Sequence, residues 1–396
     1  MDLITVFLTL GGLFLAGLLA DQVGRRTRLP RVTLLLACGV IAGQSGLGLL
    51  PDAARSWYDF LSVTALTMVA FLLGSSLTLR TMAASGRAIF SVSIAIVVAS
   101  LCVVTAGLLI VGAPLEIALL LAGIAAATDP AATQDVIRQV GARGPFVETL
   151  KGVVAIDDAW GLLAFSLVLA VVGMLSHNGG AGALLHAGWE IAGAIGFGCV
   201  VGLPAAFLTG RLQPGEPLQA EALGIVFLTA GLALWLDVSF LIAAMTAGAL
   251  VANLADHHTR AFHEIEHVQW PFMILFFILA GASLDIASLE QLGALGAAYA
   301  GLRIVARLAG GWAGAWMGGM PGPQRVWIGP ALLPQAGVAI GMALVAGQQF
   351  PELAGRILTL AVATTVLFEF IGPLCTLLAL RRVGESAKGP DGTARR

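Results

Sequence analysis

Long apolar runs, broken by short charged or Pro/Gly-rich stretches, make up most of the chain, and Ser91 to Ala113 is a typical run. A helix needs about 20 apolar residues to cross a bilayer core. Cutting the sequence at its breaks predicts thirteen such helices, over residues 3–20, 30–50, 58–79, 88–112, 115–137, 148–175, 183–210, 218–236, 238–254, 269–284, 289–316, 326–348 and 353–380. Outer-membrane strands instead alternate apolar and polar residues over about ten positions. Runs of this length exclude a barrel, so the pattern predicts an all-α polytopic membrane protein with about 13 transmembrane helices.

Composition agrees with that reading. Hydrophobic residues make up 58% of the 396 and charged residues 11%, against about 25% charge in a soluble domain. Too few charges remain to cover a water-facing surface. The 50 glycines suit helices that approach closely in a bilayer. The N-terminal stretch MDLITVFLTLGGLFLAGLLADQ has no basic flank and no small-residue cleavage site, so it is expected to be a retained span. Cys38, Cys102, Cys199 and Cys375 lie far apart in apolar runs, which gives neither a disulfide framework nor a metal cluster, and no cofactor is called for.

Cytoplasmic loops collect Lys and Arg, which tests the helix count independently. With the N-terminus outside, inward segments hold 17 of the 21 basic residues, and outward loops hold only Arg55 and Arg356. This orientation puts the C-terminus inside. The two remaining arginines, Arg303 and Arg307, fall within the eleventh span. An internal duplication also shows. LLACGVIAG around Gly39 matches AMTAGALVA around Gly248, GSSLT from Gly74 matches GASLD from Gly281, and Pro130 matches Pro334, at offsets of 209, 207 and 204. Spans two to six and nine to thirteen would be the copies. Five is an odd number, so the copies enter from opposite sides, as two inverted five-helix repeats.

Charges inside hydrocarbon are costly and mark ion or proton pathways. The candidates are Asp157 and Asp158 in VVAIDDAWGLLAF, Asp129 in AAATDPAATQD, Arg303 and Arg307 in GLRIVARLAGG, and Glu369 in TTVLFEFIGP. Adjacent aspartates on a helix point about 100° apart, so they face different partners. Two nearby carboxylates in a low dielectric also resist joint ionisation, which lets a cation and a proton compete. Proline removes an N–H and disfavours helix before it, so the fifth span should break near Thr128 to Pro130 and the twelfth near Pro334 to Gly337. Asp129 is placed to neutralise helix ends there, and Thr128 to offer oxygen to a cation. Arg303 and Arg307, four apart, share one helix face and need partners. Asp157 and Glu369 are the candidates, with Arg307 and Asp157 the favoured pair.

LPRVTLLLACGVIAGQSGLGLL, the TDP break, AIDDAWGLL, FFILAGASLD and RIVARLAGG occur in the order seen in monovalent cation:proton antiporters, and the chain resembles the branch with NapA-like and Kef-like exchangers over nearly its whole length. That resemblance implies an NhaA/NapA-like fold with crossed discontinuous helices and a homodimer. It implies dimerisation-domain helices at 1–86 and 213–286, core-domain helices at 87–182 and 287–381, a linker helix at 183–212 and a cytoplasmic tail at 382–396. It further implies that Asp158 binds Na⁺ and proton alternately, that Asp157 pairs with the basic residue of span eleven, and that the core moves like an elevator. Electrogenic relatives usually carry Lys at that basic position. Here it is Arg307, and the only lysines are Lys151 and Lys388.

Two other classes compete. Residues 263–267 read HEIEH, the H-E-x-x-H pattern of zinc proteases, but they fall in a polar inward loop without a convincing third ligand. His257, His258, His263 and His267 are instead candidates for a cytoplasmic pH sensor, or simply part of a solvated surface helix. A sodium-coupled solute symporter of similar fold is the other alternative. The reading reached from sequence is a cation:proton exchanger of the inner membrane serving pH homeostasis, with Na⁺ as the expected ion and Li⁺ or K⁺ as alternatives.

Overall fold

The computed structural model describes the chain except for residues 1–2, 28–30, 44–45, 51–55, 76, 78–85, 177–180, 210–217, 256–257, 283–292, 336 and 386–396. Among the described residues there are fifteen helices and no strand. They are α1 (Leu3–Thr27), α2 (Arg31–Ala42), α3 (Ser56–Gly74), α4 (Arg87–Ile110), α5 (Leu115–Ala125), α6 (Pro130–Val140), α7 (Pro145–Ser176), α8 (Ala181–Thr209), α9 (Leu218–Trp235), α10 (Phe240–Leu254), α11 (His258–Ala282), α12 (Gly293–Met317), α13 (Gly322–Ala331), α14 (Gly337–Gln349) and α15 (Pro351–Val383). Six of them, α1, α4, α7, α8, α11 and α15, are long and apolar enough to cross a membrane. The stretch predicted as span five is two helices, α5 and α6, and that predicted as span twelve is α13 and α14.

The chain divides into two compact units. The first holds residues 1–78, 173–290 and 344–359, and the second holds 79–172, 291–343 and 360–396. Within the first unit, glycines bring backbones into contact. Gly39 of α2 lies against Ile278 and Ala282 of α11, whose Gly281 lies against Leu36. Gly74 of α3 meets Met245 and Gly248 of α10, and Gly248 meets Phe71. With no water to compete in a bilayer, such small-residue contacts and their dispersion energy hold helices together.

α11 starts earlier than predicted, because HEIEH is amphipathic and prolongs the span rather than forming a loop before it. Phe262 and Ile265 are buried, the Phe262 ring lying 5.3 Å from that of Phe71, while His263, Glu266 and His267 are exposed.

In the second unit α12 packs on α4 through Gly310 and Gly314, and Gly318 just past its end continues the contact at the same four-residue spacing. A Cβ on Gly310 would lie 2.8 Å from the Ala95 carbonyl oxygen, and one on Gly314 would lie 2.5 Å from the Val92 Cα. The same face continues through Arg307, Arg303 and Tyr299, all with zero exposure, while Val305, Leu308, Trp312 and Trp316 are exposed on the other side. One helix thus turns arginines inward and an apolar surface outward. α4 carries a π-turn at Ser100–Val104, a local widening often found near functional sites.

Candidate ion-binding site

Two buried, non-helical stretches define the site. The first joins α5 to α6 and contains Thr128 and Asp129, 1% and 9% exposed; the second joins α13 to α14 and contains Pro334 and Gln335. Pro130 begins α6, where its missing N–H costs nothing. Asp129 precedes it, and its Oδ1 accepts the Ala132 N–H at 3.1 Å, so this aspartate caps its own helix. Pro334 has its Cα against Gly372 of α15, a contact only glycine permits.

A broken helix leaves backbone carbonyls without partners, and in an apolar interior each such group is expensive. The two arginines of α12 supply the missing donors. Arg307 Nη2 lies 3.0, 2.6 and 2.7 Å from the carbonyl oxygens of Ala125, Ala126 and Ala127, and Arg307 Nη1 donates to Asp157 Oδ2 at 3.1 Å. Arg307 and Asp157 are both fully buried. Arg303 Nη2 donates to the Ala127 carbonyl at 3.1 Å, and its Nη1 to the Leu333 carbonyl at 2.9 Å just past α13. Its guanidinium also sits 4.2 Å from the centroid of the Phe368 ring, a cation–π contact. Gln335 Nε2 reaches back to the Ile124 carbonyl at 3.3 Å. Only a planar fork with several donors can serve a carboxylate and a helix end together, which a single ammonium would do poorly.

The two aspartates of α7 are treated differently. Asp157 faces Arg307, whereas Asp158, 2% exposed, faces the first break. There its Oδ1 accepts both the backbone N–H and the side-chain O–H of Thr128, each at 3.1 Å. The roughly 100° between successive helical residues produces this division. Gly161, one turn on, approaches Ala126.

Of the residues singled out from sequence, Asp157, Asp158, Thr128, Asp129, Arg303, Arg307, Pro130 and Pro334 gather around these breaks. Glu369 is buried in α15 next to Phe368, and the Arg307 partner is Asp157. His263 and His267 lie on α11 with ring centroids 4.4 Å apart and His263 Nδ1 3.7 Å from Glu266. His258 begins that helix and His257 lies outside the described residues. Sequence reasoning missed Gln335, Phe368 and the Ala125–Ala127 carbonyls. The first two adjoin Pro334 and Glu369, so adjacency was their signal; main-chain carbonyls leave none.

Comparison with solved structures places the fold. The sodium proton antiporter MjNhaP1 from Methanocaldococcus jannaschii superposes with a TM-score of 0.79 at 18% identity, covering 97% of this chain and all of that one. An electron-microscopy map structure of the same antiporter gives 0.67. Among curated proteins, the ammonium/H(+) antiporter subunit AmhT of Alkalihalophilus pseudofirmus is 23% identical over 296 residues, 69% of this chain and 71% of that protein. The Na(+)/H(+) antiporter NhaP of Pseudomonas aeruginosa is 26% identical over 199 residues, 48% of this chain and 47% of that protein. The family described as "Sodium/hydrogen exchanger, transmembrane" matches residues 10–380. With that match spanning nearly the whole chain and an antiporter fold around its buried aspartates, the protein is a multi-pass membrane protein belonging to the sodium/hydrogen exchanger family.

Proposed function

We propose that this protein exchanges a monovalent cation, Na⁺ first, for protons, with cation and proton competing for Asp158. The observation that carries the reading is the charge balance of the site. Arg303 and Arg307 bring two positive charges. Asp157 and the C-terminal ends of α5 and α13, at about half a charge each, bring about two negative ones, and Asp129 sits on the positive N-terminal end of its own α6. Asp158 stands outside that balance, held by two neutral donors from Thr128. A buried carboxylate in this position needs a proton or a metal cation. The empty anionic site and the doubly loaded site are both unfavourable, and that couples the two fluxes. Asp157 orients and balances Arg307 and takes no ion itself.

The rest of the reading rests on sequence and resemblance. The bias of basic residues supports an N-terminus outside and a C-terminus inside the cytoplasmic membrane. The α2–α11 contact made by Gly39 and Gly281 and the α3–α10 contact made by Gly74 and Gly248 exchange places when each glycine is replaced by its counterpart in the duplication, which supports thirteen spans built on inverted repeats. The division into two units supports core and dimerisation domains with elevator-like motion in a homodimer. Names of relatives add NH₄⁺ to Li⁺ and K⁺ as ions to compare. Arginine, unlike lysine, does not act as a proton carrier in proteins, so with Arg307 where electrogenic relatives carry Lys, exchange is expected to be electroneutral.

The test is purified protein in liposomes containing a pH dye, with Na⁺, Li⁺, K⁺ or NH₄⁺ added outside, with and without a voltage clamp. Cation-driven proton efflux that is lost in Asp158→Asn and unmoved by the clamp is expected. Efflux at the wild-type rate in Asp158→Asn would sink the mechanism, and a clamp-sensitive rate would sink the stoichiometry.

A further inference from the structure

The helix that carries the aspartate pair is not capped by its own sequence. The residue before α7 is Gly144, which has no side chain, and Pro145 has no N–H, so the free donors of the first turn are those of Phe146 and Val147. Both are taken by one residue more than 230 positions away. Glu385 Oε1 accepts the Phe146 N–H at 3.0 Å and Oε2 the Val147 N–H at 2.9 Å. The Glu385 carbonyl in turn accepts the Arg143 N–H at 3.1 Å. The backbone on both sides is shaped for this contact. Gly384, at φ +82, ends α15 in the left-handed turn that delivers Glu385. Gly144, at φ +148, lies so close to the carboxylate that a Cβ there would run into it. A carboxylate at a helix N-terminus also meets the positive end of the helix dipole.

The clamp joins two helices that both support the ion site. α15 places Phe368 under Arg303 and Gly372 against Pro334 at one break. α7 presents Asp157 to Arg307 and Asp158 to Thr128 at the other. α7 has no proline after Pro145, so a shift of its first turn is transmitted along a rigid rod to Asp158, ~18 Å further on at 1.5 Å per residue.

We propose that Glu385 is a positioning residue for exchange: by holding the first turn of α7 against the end of α15, it sets the axial position of Asp158 beneath Thr128. The proposal rests on Asp158 being the ion-binding residue, and it predicts an effect at a distance that an ordinary helix cap would not have. Glu385→Ala, Glu385→Gln and Gly144→Ala are made in the full chain and compared with wild type by amide hydrogen exchange and by the liposome assay over a range of Na⁺ concentrations. Losing the clamp speeds exchange at Phe146 and Val147 by about fivefold, the usual worth of a helix cap. Exchange over residues 126–132, which include the Thr128 amide bonded to Asp158, rises as well. The KM for Na⁺ rises severalfold while the maximal rate per folded molecule falls much less. Gly144→Ala reproduces these changes without altering charge, and Glu385→Gln, which keeps one carbonyl acceptor, recovers part of the wild-type values.

Faster exchange confined to Phe146 and Val147, with residues 126–132 and the KM as in wild type, would reduce Glu385 to a local cap and overturn the proposal; so would no change at either place. If the wild type itself moves no protons, the exchanger reading fails, and exchange over 126–132 still decides whether Glu385 sets the position of α7.

Discussion

Cutting the Asp157–Arg307 pair from each side in turn offers a quantitative test of how the site is held. Arg307→Ala removes the guanidinium that donates to Asp157 Oδ2 and the donor shared by three carbonyls. A buried charge left alone costs about 3–5 kcal/mol, and lost hydrogen bonds to the α5 end add about 1 kcal/mol each. Asp157→Asn is milder, because Arg307 keeps its three carbonyls and a neutral amide oxygen still accepts from it. In the double variant no carboxylate is stranded, so most of the first penalty disappears. Two unit charges about 4 Å apart interact by roughly 4 kcal/mol at the effective dielectric that best fits protein sites. A coupling of about 2–4 kcal/mol is therefore expected between the two substitutions. Thermal unfolding in detergent, followed for wild type, both single variants and the double variant, reads it out. At about 2 °C per kcal/mol for a chain this large, Arg307→Ala should melt well below wild type and the double variant should recover several degrees. Strict additivity, meaning a coupling within about 0.5 kcal/mol as for distant residues, would refute the pairing as the reason Arg307 is buried.

Further outcomes follow from the same geometry. Thr128→Val removes the hydroxyl donor to Asp158 but keeps the backbone one, and a hydrogen bond to a charged group is worth about 1.5–3 kcal/mol. The anionic, cation-binding form of Asp158 loses one of its two donors, so the KM for Na⁺ should rise about tenfold or more; an unmoved KM in the dye assay would separate Thr128 from ion binding. Gly314→Leu places a side chain where α12 meets the Val92 backbone, and overpacking of this kind costs about 1–3 kcal/mol. A lowered melting temperature is expected, and an unchanged one would show that the α4–α12 contact gives way freely.

Much of the site was legible in the sequence because a bilayer makes polar residues conspicuous. Asp157, Asp158, Arg303 and Arg307 stand out in runs where a charge is costly, and the 100° step between neighbours already separates the roles of the two aspartates. Pro130 and Pro334 marked the two stretches where helix gives way, since a proline acts on its own backbone. The boundary at HEIEH was harder to read, because an amphipathic turn and a polar loop have similar composition until Phe262 and Ile265 find something to pack against.

Sequence by itself determined the class of molecule, the identity of the buried charges and the places where helices break, because each depends on local hydrophobicity and local backbone chemistry. Tertiary structure alone decided where those charges are spent. Arg307 divides its donors between Asp157 and the end of α5, and Arg303 links the carbonyls of both breaks and rests on Phe368. Glu385 crosses from the end of α15 to cap α7. Backbone carbonyls and N–H groups are present at every residue, so a sequence cannot say which are orphaned or which side chain, hundreds of positions away, satisfies them. That assignment exists only once the helices have packed, and it turns Asp157 to Arg307 and Asp158 to Thr128.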